Sequence, residues 1–495
     1  MNPFAKPGKK MATDLNDFPD WFGPTLVKEL RQGMKTRAFV LTFLLLQVLF
    51  VGLVSWVTAL QGKSTNGIDG AFLNKFFWGL VAAHLLWITP LRALNELAAE
   101  RRAGTIELIF MTGLTPWRIV VGKWTALFAQ AVLFVVAVLP YAVLRYFFGG
   151  VNLVNDAGNL AFFLLLSAVF SAIAIAVSAL PVFFRVGVLI LALVAGYGCF
   201  ADLRSSSSSF VIFDNGLLFW HWALLVFDAA ILTIVALEFG ASSIAPPSEN
   251  HALRQRLLSF LPLLPVPFLA FSQRYAGQAE IQTVLFILLA LLLAWVHLAA
   301  PPFILRRHLE PFLRFGRLGF WVGSALQPGW PGATLYLAGV VGVACAFSLL
   351  EAKKGDLDWI TEWAGIFLAG ATLVTTALIS VAVRRRSRYL LAEQLVFLGI
   401  MAALAFGIAS VQYDWNVPPD ASLIWALFPP MGIWLMIRAG DNGSGYWVVP
   451  SLFSFFGYFL ALRWYSRIYW RQNHAIYAEV RAEQQPAAAA EPLPS

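Results

Sequence analysis

The sequence predicts an all-α, polytopic membrane bundle of about twelve spans. Of its 495 residues, 59% are hydrophobic and only 13% are charged, whereas soluble domains carry about 25% charged residues. Apolar runs of roughly 20 residues recur along the chain, and at about 1.5 Å per residue each run is long enough to cross a hydrocarbon core. The runs lack the two-residue alternation of barrel strands, so we expect helices.

The charge pattern also favours a membrane protein. The net charge is +8, but the basic residues gather at the ends of apolar runs, as the positive-inside rule expects, so we predict no nucleic-acid partner. The two cysteines, Cys199 and Cys345, fall inside apolar runs. We therefore predict neither a metal site nor a disulfide framework, and we expect no cleavable signal segment before the first span.

The first half of the chain is predicted to contain a cytoplasmic segment followed by a core of six spans. Residues 1–37 are predicted to be a cytoplasmic N-terminus with an amphipathic helix, because basic residues crowd this segment ahead of the first span. Residues 38–239 are predicted to form six spans. Their expected bounds are 38–60, 71–91, 119–146, 160–180, 186–200 and 216–239.

The second half, 240–462, is predicted to add about six spans. Five of them have expected bounds of 281–300, 333–350, 359–383, 390–411 and 447–462. The short segment 257–271 contains three prolines; we expect it to cross as a bent span, with an interfacial segment as the alternative. Pro429 and Pro430 break the apolar run 421–437, which is predicted to be re-entrant.

Residues 463–495 are predicted to be a cytoplasmic, largely disordered tail. The last twelve or so residues, QQPAAAAEPLPS, are rich in Ala, Pro and Gln. The whole pattern predicts a multi-pass protein of the plasma (inner) membrane with both termini in the cytoplasm.

The segment ERRAGTIELIFMTGLTP separates the second and third predicted spans. Gly104 should end the preceding helix, and Thr105 suits the N-cap of a new one. Gly113 suits a left-handed C-cap, while Thr115 and Pro116 suit the N-cap and first position of the next helix. The segment therefore predicts one short helix, near 104–113, on the cytoplasmic side.

This short helix has an apolar stripe. Ile106, Ile109 and Phe110 recur at helical spacing, and Glu107 lies in the first turn, where the helix dipole favours negative charge. A helix of about two turns is marginal alone, so it needs a surface to pack on. The residues leave two surfaces open, the membrane interface and a groove on a partner protein.

The same string resembles the cytoplasmic segment of type-2 ABC-exporter permeases. That family carries an acidic-basic pair, then Gly-Thr, a Glu-Leu run, Thr-Pro-Leu or similar, and Val-Leu-Gly-Lys. The matching positions are Glu100, Arg101, Gly104, Thr105, Glu107, Leu108, Thr112, Leu114, Pro116, Gly122 and Lys123. The sequence departs at Met111-Thr112-Gly113, where the family more often has Thr-Pro before the Leu.

The segment PTLVKELRQGMKTRAF is similar to the N-terminal part of the same family. Leu26, Leu30 and Met34 recur four residues apart, and basic residues lie nearby. An amphipathic basic helix of this kind is expected on the inner leaflet; the alternative is an ordinary solvated helix. The resemblance implies an elbow helix before the first span, with Lys28, Glu29, Leu30 and Arg31 as its residues of interest.

The resemblance implies the permease subunit of an exporter, driven by ATP and Mg that are bound on a separate ATPase. This chain itself is expected to hold no cofactor, no metal and no catalytic residue. The Gly-Thr-x-Glu-Leu pattern occurs once, which implies a homodimer or a partner permease in the lipid bilayer. The implied ATPase-coupling residues are Glu100, Arg101, Gly104, Thr105, Ile106, Glu107, Leu108, Ile109, Phe110, Leu114 and Pro116.

The rest of the sequence fits a chain without its own ATPase. Gly122-Lys123 is followed by Trp124, where a phosphate-binding loop needs Ser or Thr, so Lys123 is expected to snorkel to the interface. Asp228 lies within the sixth predicted span, where a carboxylate is costly. It is a candidate for the substrate path, with a buried hydrogen bond between helices as the alternative.

Two other function classes remain open at this point. A secondary transporter not coupled to ATP would need paired broken helices near the midplane, and only the Pro429-Pro430 segment fits that pattern. A membrane-embedded enzyme would need carboxylates or histidines clustered near one interface, and no such cluster is visible in the sequence.

Overall fold

The computed structural model describes residues 24–61, 70–104, 110–111, 113–147, 153–180, 182, 185–187, 219–246, 249–270, 276–298, 306–352, 460, 463–464 and 467–488. These residues form helices and turns, with no strand among them. The chain divides into two compact units, Met1–Pro246 and Pro247–Ser495. Each unit has its own helices and buried polar groups.

The first unit is built from eight helices and one π-helical turn within the described ranges. They are α1 (Pro24–Lys35), α2 (Arg37–Gln61), α3 (Gly70–Ala82), the π-helical turn Ala83–Ile88, α4 (Thr89–Ala93), α5 (Glu96–Ala103), α6 (Pro116–Phe147), α7 (Leu153–Ser178) and α8 (Phe219–Ile244).

Five segments of the described chain are long and apolar enough to cross a membrane. They are Arg37–Trp56, Asn74–Ala103, Pro116–Arg145, Leu153–Ser178 and His221–Ile244. They coincide with the first, second, third, fourth and sixth predicted spans, so the helical character of these five is confirmed, and their length and apolarity are compatible with a membrane protein. Most of the fifth predicted span, 186–200, lies outside the described residues.

Aromatic residues fill one core of the first unit. Phe50, Phe77, Trp78, Phe134 and Phe163 are buried together between α2, α3, α6 and α7. The ring centroids of Phe50 and Phe77 lie 5.5 Å apart, and those of Trp78 and Phe163 lie 5.8 Å apart, which is the separation at which aromatic pairs attract. This core fixes α3 and α6 against each other.

Small residues bring α6, α7 and α8 together in a second core. A Cβ at Gly240 would lie 3.3 Å from Val120 Cγ1 and 3.4 Å from Ala176 Cα, and Ala172 and Ala241 are fully buried. Small side chains let membrane helices approach closely. The ends of α5, α7 and α8 are thereby held near one another.

The second unit contains shorter helices. They are α9 (His251–Leu258), the 3₁₀ turn Leu261–Leu263, α10 (Val266–Ala270), α11 (Ala276–Leu298), α12 (Arg306–Leu313), α13 (Gly316–Ala325), α14 (Trp330–Ala352) and α15 (Arg467–Ala488). The helix α14 covers the predicted span 333–350, and α11 covers the predicted span 281–300 as far as Leu298. The predicted spans 359–383 and 390–411, the re-entrant segment 421–437 and almost all of 447–462 lie outside the described residues.

The segment 257–271 differs from the bent span that the sequence predicts. It contains the end of α9, the 3₁₀ turn and α10, and α9 has only eight residues. Eight residues rise about 12 Å, which is too short for a hydrocarbon core of about 30 Å. The prolines of this stretch interrupt helical hydrogen bonding, so no continuous helix forms.

The tail also differs from the prediction of disorder. Arg467–Ala488 is a helix of 22 residues. Its Val480 is buried with Leu309, Leu313 and Phe320 of α12 and α13, and Ile476 packs beside them. The apolar residues at helical spacing supply a face to bury, which disorder would leave in water.

Candidate functional site

A buried lysine lies near the start of α6. The Lys123 side chain is 5% exposed, and its Nζ lies 2.9 Å from Glu100 Oε1, 3.4 Å from Glu29 Oε1 and 3.5 Å from Glu96 Oε2. These four residues are called the Lys123 cluster below. The cluster joins α1, α5 and α6 through one ammonium group.

Helical spacing and one glycine explain how the cluster forms. Glu96 and Glu100 are four residues apart on α5, so they share a face. Glu29 comes from α1, where Gly33 follows one turn later on the same face. A Cβ at Gly33 would lie 2.3 Å from Gln130 Nε2, so the glycine leaves room for the Gln130 side chain where α1 lies against α6.

The Lys123 cluster contains three carboxylates and one ammonium group, and the exposure of the carboxylates shows where the excess negative charge lies. Glu29 and Glu100 are 20% and 18% exposed, and Glu96 is 37% exposed. A buried ammonium is stable only when counter-ions and hydrogen bonds surround it. The positive charge is therefore inside, while the negative charge extends toward the rim of the cluster.

Arg101 ties α5 to two further helices. Its Nη1 donates to Ala179 O over 3.0 Å, and its Nη2 donates to Ser243 O over 3.1 Å. These carbonyls lie at the ends of α7 and α8, where helix carbonyls lack intrahelical donors and a cation is favourable. Leu97 N also donates to Ser178 Oγ over 3.2 Å, so α5 is fixed to α7 at two points.

The segment from Gly104 to Thr115, called the insert below, has the predicted cap geometry at its boundaries. Gly104 ends α5 with φ 67°, and Gly113 has φ 78°, both in the left-handed region that favours glycine. Thr115 Oγ1 accepts from Arg118 N over 3.4 Å, and Pro116 begins α6. Between these boundaries, six residues of the insert lie outside the described residues: Thr105, Ile106, Glu107, Leu108, Ile109 and Thr112.

The described part of the insert shows one inward and one outward side chain. Phe110 is half-buried and packs, with Leu114 and Trp117, against the small-residue core. Met111 is 85% exposed. Phe110, which the sequence assigns to a docking stripe, thus contacts this chain's own helices, and Met111 presents the larger exposed apolar surface.

The remaining sequence-predicted site residues occupy separate places. On α1, Lys28 and Arg31 are exposed and Leu30 is half-buried, while Pro116 is buried at the start of α6. Asp228 is half-buried on α8. The structure thus brings Glu29, Glu100 and Arg101 into one region and leaves Asp228 elsewhere.

The sequence reasoning missed the role of Lys123. The expectation that Lys123 snorkels to the interface is wrong, because its side chain is 5% exposed and held by three carboxylates. No cluster of carboxylates is visible in the sequence, whereas the fold brings three together around Lys123. The spacing of Glu96 and Glu100 was the available signal, since two carboxylates on one helical face beside a membrane need a cation.

The opposite end of α6 carries a second buried cation. Arg145 forms an ion pair with Asp156 of α7, and its guanidinium lies 4.3 Å from the Phe77 ring centroid and 5.2 Å from that of Trp78. At about 1.5 Å per residue, Lys123 and Arg145 are about 33 Å apart along α6. This matches a hydrocarbon thickness of about 30 Å, so the two ends are called the Lys123 end and the Arg145 end.

The second unit holds its buried cation differently. Arg256 is fully buried on α9; its Nε donates to His297 Nδ1 over 3.3 Å, and its Nη1 donates to Gln327 O over 2.9 Å and to Ala325 O. Burial lowers the pKa of Arg256 to about 10, so the group stays charged at neutral pH. Within the described residues no carboxylate lies at ion-pair distance from it.

Neutral groups complete the surroundings of Arg256. Its guanidinium lies 5.4 Å from the Tyr336 ring centroid, and Tyr336 Oη is 2.5 Å from Ser259 Oγ. Tyr469 of α15 donates to Gln327 Oε1 over 2.7 Å, and burial raises the pKa of the Tyr469 phenol. The network thus holds a cation with dipoles and ties α15 to the turn after α13.

The chain matches no protein-family model, and comparisons with curated proteins and with solved structures give no match. Its function is therefore argued from its own residues and their geometry.

Proposed function

We propose that this chain is the membrane-spanning permease subunit of an ABC exporter in the inner membrane, using ATP and Mg bound on a separate ATPase subunit. In this proposal about twelve spans cross the bilayer, both termini are cytoplasmic, and α1 is the elbow helix. The Lys123 end is the cytoplasmic end. Two permease chains, identical or different, complete the transporter.

The observation that carries the proposal is the anchoring of the insert. A docking element transmits movement only when its base is firmly tied to the helices that must move. Glu100 binds Lys123 of α6, and Arg101 binds the ends of α7 and α8. A force applied to the insert would therefore reach α6, α7 and α8 through groups immediately before Gly104.

This anchoring changes the roles proposed for two residues. The sequence interpretation has Glu100 and Arg101 touching the ATPase directly. Their contacts favour a role inside this chain, since Glu100 is 18% exposed and Arg101 spans two helix ends. The partner-facing role then falls to Met111 and to Ile106, Glu107 and Ile109 of the insert.

ATP labelling of the isolated complex tests the proposal. The full chain, tagged and isolated in mild detergent from its native membranes, should bring with it a second chain that a photoactivated ATP analogue labels. The double variant Glu107→Lys with Met111→Ala should lose that chain, because both residues belong to the partner-facing set. The matched variant Lys28→Ala changes an exposed residue of α1 and should retain it.

A different energy source would contradict the proposal. If the wild-type chain brings no ATP-labelled partner, and transport by cells survives ATP depletion but collapses with the proton gradient, then the chain is a secondary transporter. If the double variant retains the partner in full, the insert is not the docking element.

A further inference from the structure

The helices α12, α13 and α15 form a layer with a tightly fixed inner side. Leu309, Leu313, Phe320 and Val480 are buried between them. The chain reverses at Gly316, which has φ 65°, and a Cβ at Gly319 would lie 1.8 Å from Phe312 O. The backbones of α12 and α13 are thus too close for α13 to rotate about its own axis, so the orientation of α13 is fixed.

The outer side of this hairpin is apolar and exposed. Phe315 is 76% exposed, Leu318 79%, Trp321 42% and Val322 50%. Their spacing of three to four residues puts them on one side. We call these four residues the α13 stripe. With ten residues, α13 is about 15 Å long, so the stripe does not belong to a helix that crosses a bilayer by itself.

Arginines and tryptophans border the α13 stripe. The Arg463 guanidinium lies 4.8 Å from the Trp321 ring centroid and 4.2 Å from that of Trp470. The Arg467 guanidinium lies 5.0 Å from the ring of Trp464, which is 67% exposed. Cation–π contacts at these distances hold the guanidinium groups beside the rings.

Two further arginines, Arg314 and Arg317, are exposed next to the stripe. By contrast, the part of the layer formed by the start of α12 and the second half of α15 is polar. Arg306 pairs with Glu483 of α15, and both are exposed, as is Arg481. The layer is therefore amphipathic, with one apolar, arginine-rich side and one side suited to water.

We propose that the α13 stripe lies in the headgroup region of the bilayer and that Arg463 and Arg467 bind the headgroups of anionic phospholipids there. Exposed apolar residues, interfacial tryptophans and flanking arginines are the combination found in helices that lie in a membrane surface. An anionic headgroup complements the arginines, because basic residues near a negatively charged membrane surface are attracted to it. This inference does not depend on an ATPase partner.

Fluorescence quenching in lipid nanodiscs tests the inference on the full chain. In a background with Cys199→Ala and Cys345→Ala, Leu318→Cys carries an environment-sensitive fluorophore. The control places the same fluorophore at Arg481→Cys, on the exposed part of α15. We expect brominated lipid to quench the Leu318→Cys probe and aqueous iodide to quench the Arg481→Cys probe.

The headgroup is tested by comparing brominated phosphatidylglycerol with brominated phosphatidylcholine at equal mole fraction. We expect the anionic lipid to quench the Leu318→Cys probe at least about twofold more strongly. Changing Arg463→Gln together with Arg467→Gln should abolish that difference while lipid quenching itself remains. The comparison of the two brominated lipids on protein that keeps Arg463 and Arg467 tests the headgroup preference even if the double variant folds poorly.

Three results would overturn the inference. Iodide quenching of the Leu318→Cys probe at the level of the control would place the stripe in water. Protection from both iodide and brominated lipid would mean that protein covers the stripe. Equal quenching by the anionic and zwitterionic lipids would remove the headgroup specificity.

Discussion

Lys123 in the first unit and Arg256 in the second are both buried cations, but they are compensated in opposite ways. Three carboxylates from α1 and α5 lie within 3.5 Å of Lys123 Nζ. Arg256 instead donates to two backbone carbonyls and to His297. Coulombic attraction holds the first cation, and directed hydrogen bonds hold the second.

The difference indicates what each site does. An ammonium is a compact charge whose partners need little directional order, whereas a guanidinium fixes its acceptors in a planar fork. The Lys123 cluster therefore keeps α1, α5 and α6 joined while tolerating small changes in side-chain geometry. The Arg256 network suits a rigid join, because each of its bonds has one geometry.

Removal of the Lys123 charge should have the largest effect. Lys123→Met leaves three carboxylates facing one another in a partly buried site, which should cost about 3–5 kcal/mol. Lys123→Gln should be about as damaging, because the amide brings no charge. Thermal unfolding in detergent, followed by the loss of monodisperse protein, measures the effect.

The rescue pattern tests the charge argument for Lys123. Adding Glu100→Gln to Lys123→Met should recover part of the lost stability, since fewer carboxylates then repel. A double variant that is less stable than Lys123→Met would show that hydrogen bonding, not charge, holds this site.

Removal of the Arg256 side chain should have the next largest effect. Arg256→Met leaves two carbonyls and His297 Nδ1 without a donor, and each buried unpaired group costs about 1–3 kcal/mol. The cost of burying a cation disappears at the same time, so we expect a net loss of about 2 kcal/mol. Arg256→Gln should be milder than Arg256→Met, unlike the corresponding pair at Lys123, and equal losses would contradict the contrast.

A methyl group at Gly332 probes the rigidity of the Arg256 network. A Cβ there would lie 2.5 Å from Gln327 O, 2.9 Å from Ser324 O and 3.2 Å from Arg256 Nη1. The nearest atoms belong to the backbone, so they cannot move aside, and we expect Gly332→Ala to cost about 1–3 kcal/mol. Gly339→Ala, where nothing lies within 4 Å, is the control in the same thermal assay and should be nearly neutral.

The equivalent change at Gly33 should have the smallest effect. Its Cβ would meet Gln130 Nε2 at 2.3 Å, but that atom ends a flexible side chain, so Gly33→Ala should cost less than about 1 kcal/mol. Gly52→Ala, in open space on α2, serves as the matched control. A loss at Gly33 as large as that at Gly332 would show that the α1 contact is as rigid as the Arg256 network.

Local signals in the sequence predicted the elements well. Gly104, Gly113 and Thr115 adopt the expected cap conformations, because caps depend on a few adjacent residues. Five of the six predicted spans of the first half appear as long helices for the same reason, since apolar length decides them.

Long-range packing was not predictable in the same way. Glu29 and Lys123 are 94 residues apart, and no local sequence pattern predicts their contact. The helix of the tail also depends on tertiary contacts, such as those of Val480 with Leu309 and Leu313. Their partners become known only once the helices are packed.

Cross-linking from Met111 tests the central claim, that the insert docks an ATPase, most directly. Met111 is 85% exposed at the Lys123 end, and Val154 is 78% exposed at the Arg145 end. Each is replaced in turn by cysteine in the cysteine-free background. We predict that a short thiol-reactive cross-linker joins Met111→Cys, but not Val154→Cys, to the chain labelled by the photoactivated ATP analogue. Failure of Met111→Cys to join that chain, or equal joining from both positions, would contradict the account.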